Sequence, residues 1–319
     1  MITSQPSAAT DTPERRADAP RLVVGVDGST GGEQALRWAL REATPGQEVL
    51  AALAFGPLGR PPDLDALQTG HLDELVPAAK SLLEKAVAQV TGSAELPAAG
   101  TVATAAVYDE PVAGLLELLR PPDVLVLGSR GWGRLRRLLL GSVASQCLQQ
   151  HPGTVVVVRG AVATDDRRSV LVGVDGTPDS LAALTWAAEF AVRHGAPLRA
   201  VRAWSAPASL HPVLRSVYDR QRAFGHARAE PRRLVRSTLT AASGDLGELD
   251  VATDVLDGSS AATLTGEADQ RYQLLVVGRG GATALRHRRL GSTSLSCAVN
   301  AATSVAVVEA PAPSPATAS

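Results

Sequence analysis

The chain has 319 residues, 45% of them apolar and 20% charged, with a formal net charge of −1. That length suits two ordinary domains, and the charge excludes a nucleic-acid protein that relies on a general basic field. No apolar run reaches the ~18 residues of a membrane span, the opening "MITSQPSAATDTPERRADAP" lacks the apolar core of a secretion signal, and two cysteines, Cys147 and Cys297, point to a reducing cytoplasm rather than a disulfide framework.

Residues 1–19, rich in Pro, Ala and Thr, are expected to form a disordered tail. "RLVVGVD" (21–27) is an apolar run suited to a buried strand. Thr30 is placed to cap the following helix, with Glu33 three residues on in capping-box spacing. A second strand is predicted over 48–55, a helix over 75–90 with Pro77 near its start, a third strand over 102–108, a helix near 111–120, and a fourth strand over "DVLVLG" (123–128). Then come the loop "GSRGWGRLRRLLLGS" (128–142), a helix, and a fifth strand over 154–159. Residues 160–169 read as a linker, after which the same order returns. A strand runs into Asp175, and Thr177 caps a helix that has Pro178 at its favoured first position. Strands follow at 197–204, 250–256, 273–278 and 304–309, with helices within 212–243, near 259–269 and after a second Gly/Arg loop. Residues 311–319 form a second tail.

The return is a true internal repeat. Residues 22–40 match 170–188, pairing Asp27 with Asp175 and Trp38 with Trp186, and residues 123–142 match 273–292. Gly128, Gly131, Gly141 and Ser142 thereby pair with Gly278, Gly281, Gly291 and Ser292, and Cys147 with Cys297. A period this long is too great for a solenoid unit. The predicted architecture is α/β: two tandem copies of a five-stranded, Rossmann-like parallel-sheet domain, residues 20–160 and 169–310, with helices on both faces. Such sheets bind ligands beyond the carboxyl ends of their strands, where the strand order reverses.

Two of those ends carry the informative residues. The glycine loops follow strand four and open a helix, a context in which backbone N–H groups can approach an anion and a helix N-terminus favours it. Ser142 and Ser292, at the cap, can give a hydroxyl to their own helix or to a phosphate. The loop arginines Arg134, Arg136, Arg137, Arg286, Arg288 and Arg289 pair with phosphate oxygens or are simply solvated. Equally, the glycines can serve only tight turns and helix–strand packing. Asp27 and Asp175 close strand one, where a carboxylate contacts a nucleotide, holds Mg²⁺ through water, or shapes the turn. Gly25 and Gly173 lie inside strand one, which close approach of a ligand or of a neighbouring backbone would explain. The cysteines read as packing residues. No histidine pair has zinc spacing, and there is no Walker lysine or Gly-x-Ser-x-Gly elbow.

Gly128-Gly131-Gly141-Ser142 and Gly278-Gly281-Gly291-Ser292, with "VGVDGS", "VGVDGT" and "LLLGSVASQCLQQHPGTVVVV", make the chain resemble a tandem universal stress protein of the actinobacterial type over nearly its whole length. The resemblance implies a nucleotide-binding domain in each copy, holding an adenine nucleotide, usually ATP, possibly with Mg, at the ends of strands one and four. It implies Asp27 and Asp175 beside the adenosine, and Ala54 and Ala203 at adenine through their backbone, with Gly25 and Gly173 kept as candidate ligand-approach positions in strand one. The loop residues Ser129, Arg130, Gly133, Arg134, Arg279 and Gly280, with the signature glycines and serines, would hold ribose and phosphates, Val143 and Thr293 adding backbone contacts. It further implies pairing of the two copies through 154–159 and 304–309, a possible homodimer, and an unidentified regulatory protein partner, with neither nucleic acid nor membrane. The function expected is that of a cytoplasmic ATP-binding stress regulator with two sites, not an efficient enzyme. The alternatives are a slow ATPase or nucleotidyl transferase, and a nucleotide-free scaffold. In copy two Ala282 and Thr283 replace Trp132 and Gly133, so one site is expected to hold phosphates differently and to be weaker.

Overall fold

The computed structural model describes residues 20–57, 60–67, 71–92, 100–131, 140–160, 169–204, 229–241, 249–268, 271–280 and 290–311. The first domain runs β1 (Leu22–Gly25), α1 (Thr30–Glu42), β2 (Gln47–Ala54), α2 (Pro62–Asp65), α3 (Leu72–Thr91), β3 (Gly100–Val107), α4 (Pro111–Glu117), β4 (Val124–Gly128), α5 (Ser142–Gln150) and β5 (Val155–Val158). The second runs β6 (Ser169–Gly173), α6 (Pro178–Arg193), β7 (Leu198–Trp204), α7 (Ala229–Ala241), β8 (Val251–Asp257), α8 (Ser260–Glu267), β9 (Tyr272–Gly278), α9 (Ser292–Asn300) and β10 (Ser304–Val308). The short α2 has no counterpart in the sequence reading. It is one turn begun by Pro62 and anchored by the buried Leu64. Helix α3 starts earlier than predicted, so Pro77 lies inside it rather than near its start.

All ten strands form one sheet in the order β3-β2-β1-β4-β5-β10-β9-β6-β7-β8. Every pairing is parallel except the seam, where β5 and β10 run antiparallel with Val156 opposite Ala306 and Val155 opposite Val307. The two copies thus pair through their last strands within one chain, as the resemblance implied. Alternation along the strands explains why these runs are apolar throughout. Val24, Val126, Val156 and Ala306 face α1, α3, α6 and α7, whereas Val23, Leu125, Val155, Val157, Val305 and Val307 face α4, α5, α8 and α9. The seam valines are fully buried, at about 1.5–3 kcal/mol each, so both cores continue across the domain boundary.

Side chains reinforce that boundary. On one face Phe190 of α6 stacks on Trp38 of α1 at 6.4 Å and on Trp186 at 5.5 Å, and His194 Nε2 lies 2.9 Å from Glu42 Oε2. On the other face two arginines cross reciprocally. Arg159, just after β5, donates to the carbonyls of Ala298 and, at 2.7 Å, Val299 in the last turn of α9. Arg279, just after β9, donates to Leu148, Gln149 and His151 at the end of α5, each at 2.7 Å. Both cations therefore meet helix C-termini, where carbonyls lack intrahelical partners and the helix dipole is negative.

Candidate functional site at the ends of the first and fourth strands

In the first domain the strand order reverses between β1 and β4. The helix after β1 lies on one face and the helix after β4 on the other, which leaves a crevice at their carboxyl ends. Asp27 enters it from β1. Its Oδ1 accepts from the Ser29 amide at 3.0 Å and from Ser29 Oγ at 2.5 Å. Ser29 Oγ in turn accepts from Gly32 N at 3.2 Å. Ser29, not Thr30, is therefore the cap of α1: Asp27 fixes the serine hydroxyl at the turn and leaves Thr30 as the first helical residue. The second domain repeats the turn with Asp175 Oδ1 accepting from Thr177 N at 3.0 Å and Oγ1 at 2.6 Å, and Thr177 is the cap as predicted.

The fourth strand ends against the first turn of α1. A Cβ on Gly128 would lie 2.4 Å from the carbonyl carbon of Gly31, and one on Gly31 would lie 1.8 Å from the Arg130 carbonyl oxygen. Gly31, a position the sequence reading passed over, thus matters as much as the signature glycines. Its signal was the pair Gly31-Gly32 where the second copy has Asp179-Ser180. A Cβ on Gly131 would lie 2.7 Å from Asp27 Oδ2, so with glycine there the loop passes over that carboxylate without displacing it. The far end of the loop returns to the same place: Gly141 N donates to the Ser129 carbonyl at 2.9 Å, and a Cβ on Gly141 would sit 3.8 Å from the Gly131 amide. The structure therefore brings Asp27, Ser129, Arg130, Gly131 and Gly141 together, with Arg130 exposed.

Gly141 and Gly291 are the caps of α5 and α9, and neither helix has a side-chain cap. Ser142 and Ser292, expected at the cap, are instead the exposed first helical residues, with Val143 and Thr293 next. A glycine cap has no acceptor to offer, so the first amides of each helix have no side-chain acceptor there. Ala54 closes β2 with its side chain buried against Gly114. Ala203 lies one residue before the end of β7.

Several expectations change. Gly25 and Gly173 make room for leucine side chains rather than for a neighbouring backbone: a Cβ there would strike Leu127 and Leu115 in one domain and Leu264 in the other. Arg279 is not a phosphate-pairing residue. Its side chain is 3% exposed and turned into the domain boundary, with Nε 3.3 Å from Glu309 Oε2. Burial pushes the Arg279 pKa below its usual value, with Glu309 and Asp179 acting against that shift. Burial pushes both cysteine thiols up to about 12, which suits packing and denies them reactivity. Gly133, Arg134, Arg136, Arg137, Gly281, Arg286, Arg288 and Arg289 fall outside the described residues. Among the described residues no group of three His, Cys, Asp or Glu side chains could hold a metal, and no helix is long and apolar enough to cross a membrane.

Comparison with known proteins agrees with this geometry. The universal stress protein family model matches residues 19–159 and again 166–309. A universal stress protein of Mycolicibacterium smegmatis is 31% identical over 296 residues, 90% of this chain and 96% of that protein. One from Mycobacterium tuberculosis is 32% identical over 198 residues, covering 58% of this chain and 64% of the relative, so that match spans under two thirds of the relative's length. The crystal structure of a universal stress protein from Archaeoglobus fulgidus superposes with a TM-score of 0.61 at 20% identity, over 91% of this chain and 98% of that one, and supports the fold. With the family model matched twice over the two halves of the sheet, this chain belongs to the universal stress protein family and carries two of its domains in tandem.

Proposed function

We propose that this chain is an ATP-binding stress-response regulator that acts through nucleotide-dependent conformation or partner binding rather than through turnover. The observation that carries the proposal is the cradle of the first domain. There Gly131, which has no side chain, lies over Asp27, and the Ser129 carbonyl accepts from Gly141, the glycine cap of α5. Backbone amides at Ser142, Val143 and Gly131 suit an anionic phosphate, and exposed Arg130 suits the same charge. Asp27, at the end of β1, suits the sugar or base, and the end of β2 at Ala54 suits adenine. Asp27 alone does not make a Mg²⁺ cage, so any metal would be held through water and the phosphates themselves. In this reading the chain's own residues bind and orient the nucleotide.

Titration calorimetry of nucleotide-stripped protein tests this reading. ATP is expected to bind with no measurable release of phosphate, and Gly131→Glu, which drives a carboxylate into the cradle, is expected to abolish first-domain binding. An absence of heat at millimolar ATP, a Kd weaker than about −4 kcal/mol of binding, would refute it.

A further inference from the structure

The two domains share a signature but furnish it differently. At the repeat offset of 148, Gly31 of α1 corresponds to Asp179 of α6. Gly31 has no side chain and lies against the Arg130 carbonyl. Asp179 reaches into its own loop: its Oδ2 accepts from the Gly280 amide at 2.7 Å. Its Oδ1 accepts from the Ala310 amide, just beyond β10, at 2.9 Å. The end of β9 is packed directly on this helix turn, since a Cβ on Gly278 would lie 2.6 Å from the Asp179 carbonyl carbon. A carboxylate thus already accepts from the Gly280 amide, whose counterpart in the first domain is the Arg130 amide, beside the proposed phosphate cradle.

The basic residues diverge in the same sense. In the first domain the loop presents exposed Arg130, preceded by Ser129. In the second, the arginine stands one position earlier, at the counterpart of Ser129, and is withdrawn. The Arg279 guanidinium is engaged by the α5 carbonyls and Glu309, and the counterpart of Arg130 is Gly280. Ser294, where the first domain has Ala144, adds a bond from its Oγ to the Gly278 carbonyl at 2.6 Å that ties α9 down onto the loop. The second domain has therefore gained an internal anion and lost its exposed cation at the same place.

We infer that Asp179 is a built-in occupant of the second domain's phosphate cradle, so that the chain binds one nucleotide, in the first domain, and uses the second as a structural half. The inference rests on the proposed nucleotide-binding reading and gives it a stoichiometry. Like charge disfavours a phosphate beside the carboxylate, and the Gly280 amide, already bonded, has no donor left for it.

The test is calorimetric titration with ATP of four full-length proteins: wild type, Gly131→Glu, Gly131→Glu/Asp179→Gly and Gly131→Glu/Asp179→Asn. Wild type is expected to bind one ATP and Gly131→Glu none. Asp179→Gly, which copies Gly31, is expected to restore one site, and the isosteric Asp179→Asn, which removes only the charge, a weaker one. The asparagine variant keeps the test open should the glycine variant melt before titration. A stoichiometry of two for wild type, or one for Gly131→Glu, overturns the inference while the nucleotide-binding reading stands. Binding by wild type that neither Asp179 variant restores in the Gly131→Glu background also overturns it. No binding by any of the four removes the functional reading and the inference with it. Binding only by the Asp179 variants overturns the inference as well, because wild type then holds no nucleotide in its first domain.

Discussion

Replacing Arg279 by alanine should loosen a helix in the other domain. The Arg279 side chain is 3% exposed and makes three hydrogen bonds of 2.7 Å to the last turn of α5, besides its approach to Glu309. Hydrogen bonds from a charged donor contribute about 1.5–3 kcal/mol each but do not add. A cation at a partly buried helix C-terminus contributes up to ~2 kcal/mol. Truncation leaves the carbonyls of Leu148, Gln149 and His151 and the Glu309 carboxylate without this partner. Breaking such a buried charged contact costs about 3–5 kcal/mol, and that range is the expected loss in urea denaturation of Arg279→Ala. Arg279→Lys keeps the charge and loses the planar fork, so a loss of about half that size is expected. Arg159→Ala should cost less, because Arg159 is only half-buried and its guanidinium is bonded to two carbonyls of α9. Native-state hydrogen exchange gives the reading specific to this mechanism. Amides over Cys147–His151, in the first domain, should lose protection in a variant of the second. A loss below about 1 kcal/mol, or unchanged protection of α5, would refute the account of the crossed arginines.

Three further outcomes follow from the same contacts. His151 caps the C-terminus of α5, and burial, then the Arg279 charge, holds its pKa below 6.5. The unfolded chain therefore takes up a proton that the folded chain refuses. The stability this confers is complete above pH ~6.5 and is lost as pH falls from there toward the folded pKa; His151→Gln should flatten the urea midpoint across that window. Burial alone would raise the Asp123 carboxyl, but hydrogen bonds from the Arg21 side chain and from the Arg120 and Arg21 amides hold it below 3.8. Asp123→Asn should lower the urea midpoint at neutral pH by the equivalent of about 3 kcal/mol, with the difference from wild type closing as pH falls through that folded pKa. Gly31→Ala puts a Cβ 1.8 Å from the Arg130 carbonyl. The loop must move, and ATP affinity should fall at least about tenfold, ~1.4 kcal/mol, by calorimetry, while Gly46→Ala, a positive-φ glycine with open space around it, should leave affinity unchanged.

What the sequence disclosed and what it withheld divide along a physical line. Repeat offsets, buried apolar runs and turn residues are local or periodic signals. They located ten strands and a parallel sheet in each copy, whereas the pairing of 154–159 with 304–309 came from the family resemblance and its antiparallel direction only from the structure. The cap of α1 was misassigned because Ser29 and Thr30 are chemically alike, and only the bond from Asp27 distinguishes them. Gly25 was misread because what crowds it is Leu127 on the neighbouring strand and Leu115 on α4, about a hundred residues away in the chain. Arg279 looked like a loop cation because direction is absent from a sequence: one position earlier than the counterpart of exposed Arg130, its side chain crosses the domain boundary.

That displacement also connects the interface to the site. Each domain has an arginine near the end of its fourth strand, Arg130 or Arg279, and a helix end, that of α5 or α9, covered from the partner domain. The first domain covers α9 with Arg159, from the end of β5, which leaves Arg130 exposed beside its cradle. The second has Glu309 at the counterpart of Arg159, so α5 must be covered from elsewhere, and Arg279 does it. With Arg279 drawn into the boundary and Glu309 beside it, the counterpart of exposed Arg130 is Gly280, and a carboxylate from Asp179 accepts from its amide. Docking and loss of the second cradle are then one event rather than two. Reversing it in full takes both changes: Asp179→Gly to empty the loop, and Gly280→Arg to restore the exposed cation. The pair together should raise second-site affinity beyond what Asp179→Gly achieves alone, because an added arginine at a phosphate site acts only where the cradle is open to receive the anion; Gly280→Arg by itself, with the carboxylate still in place, should gain nothing.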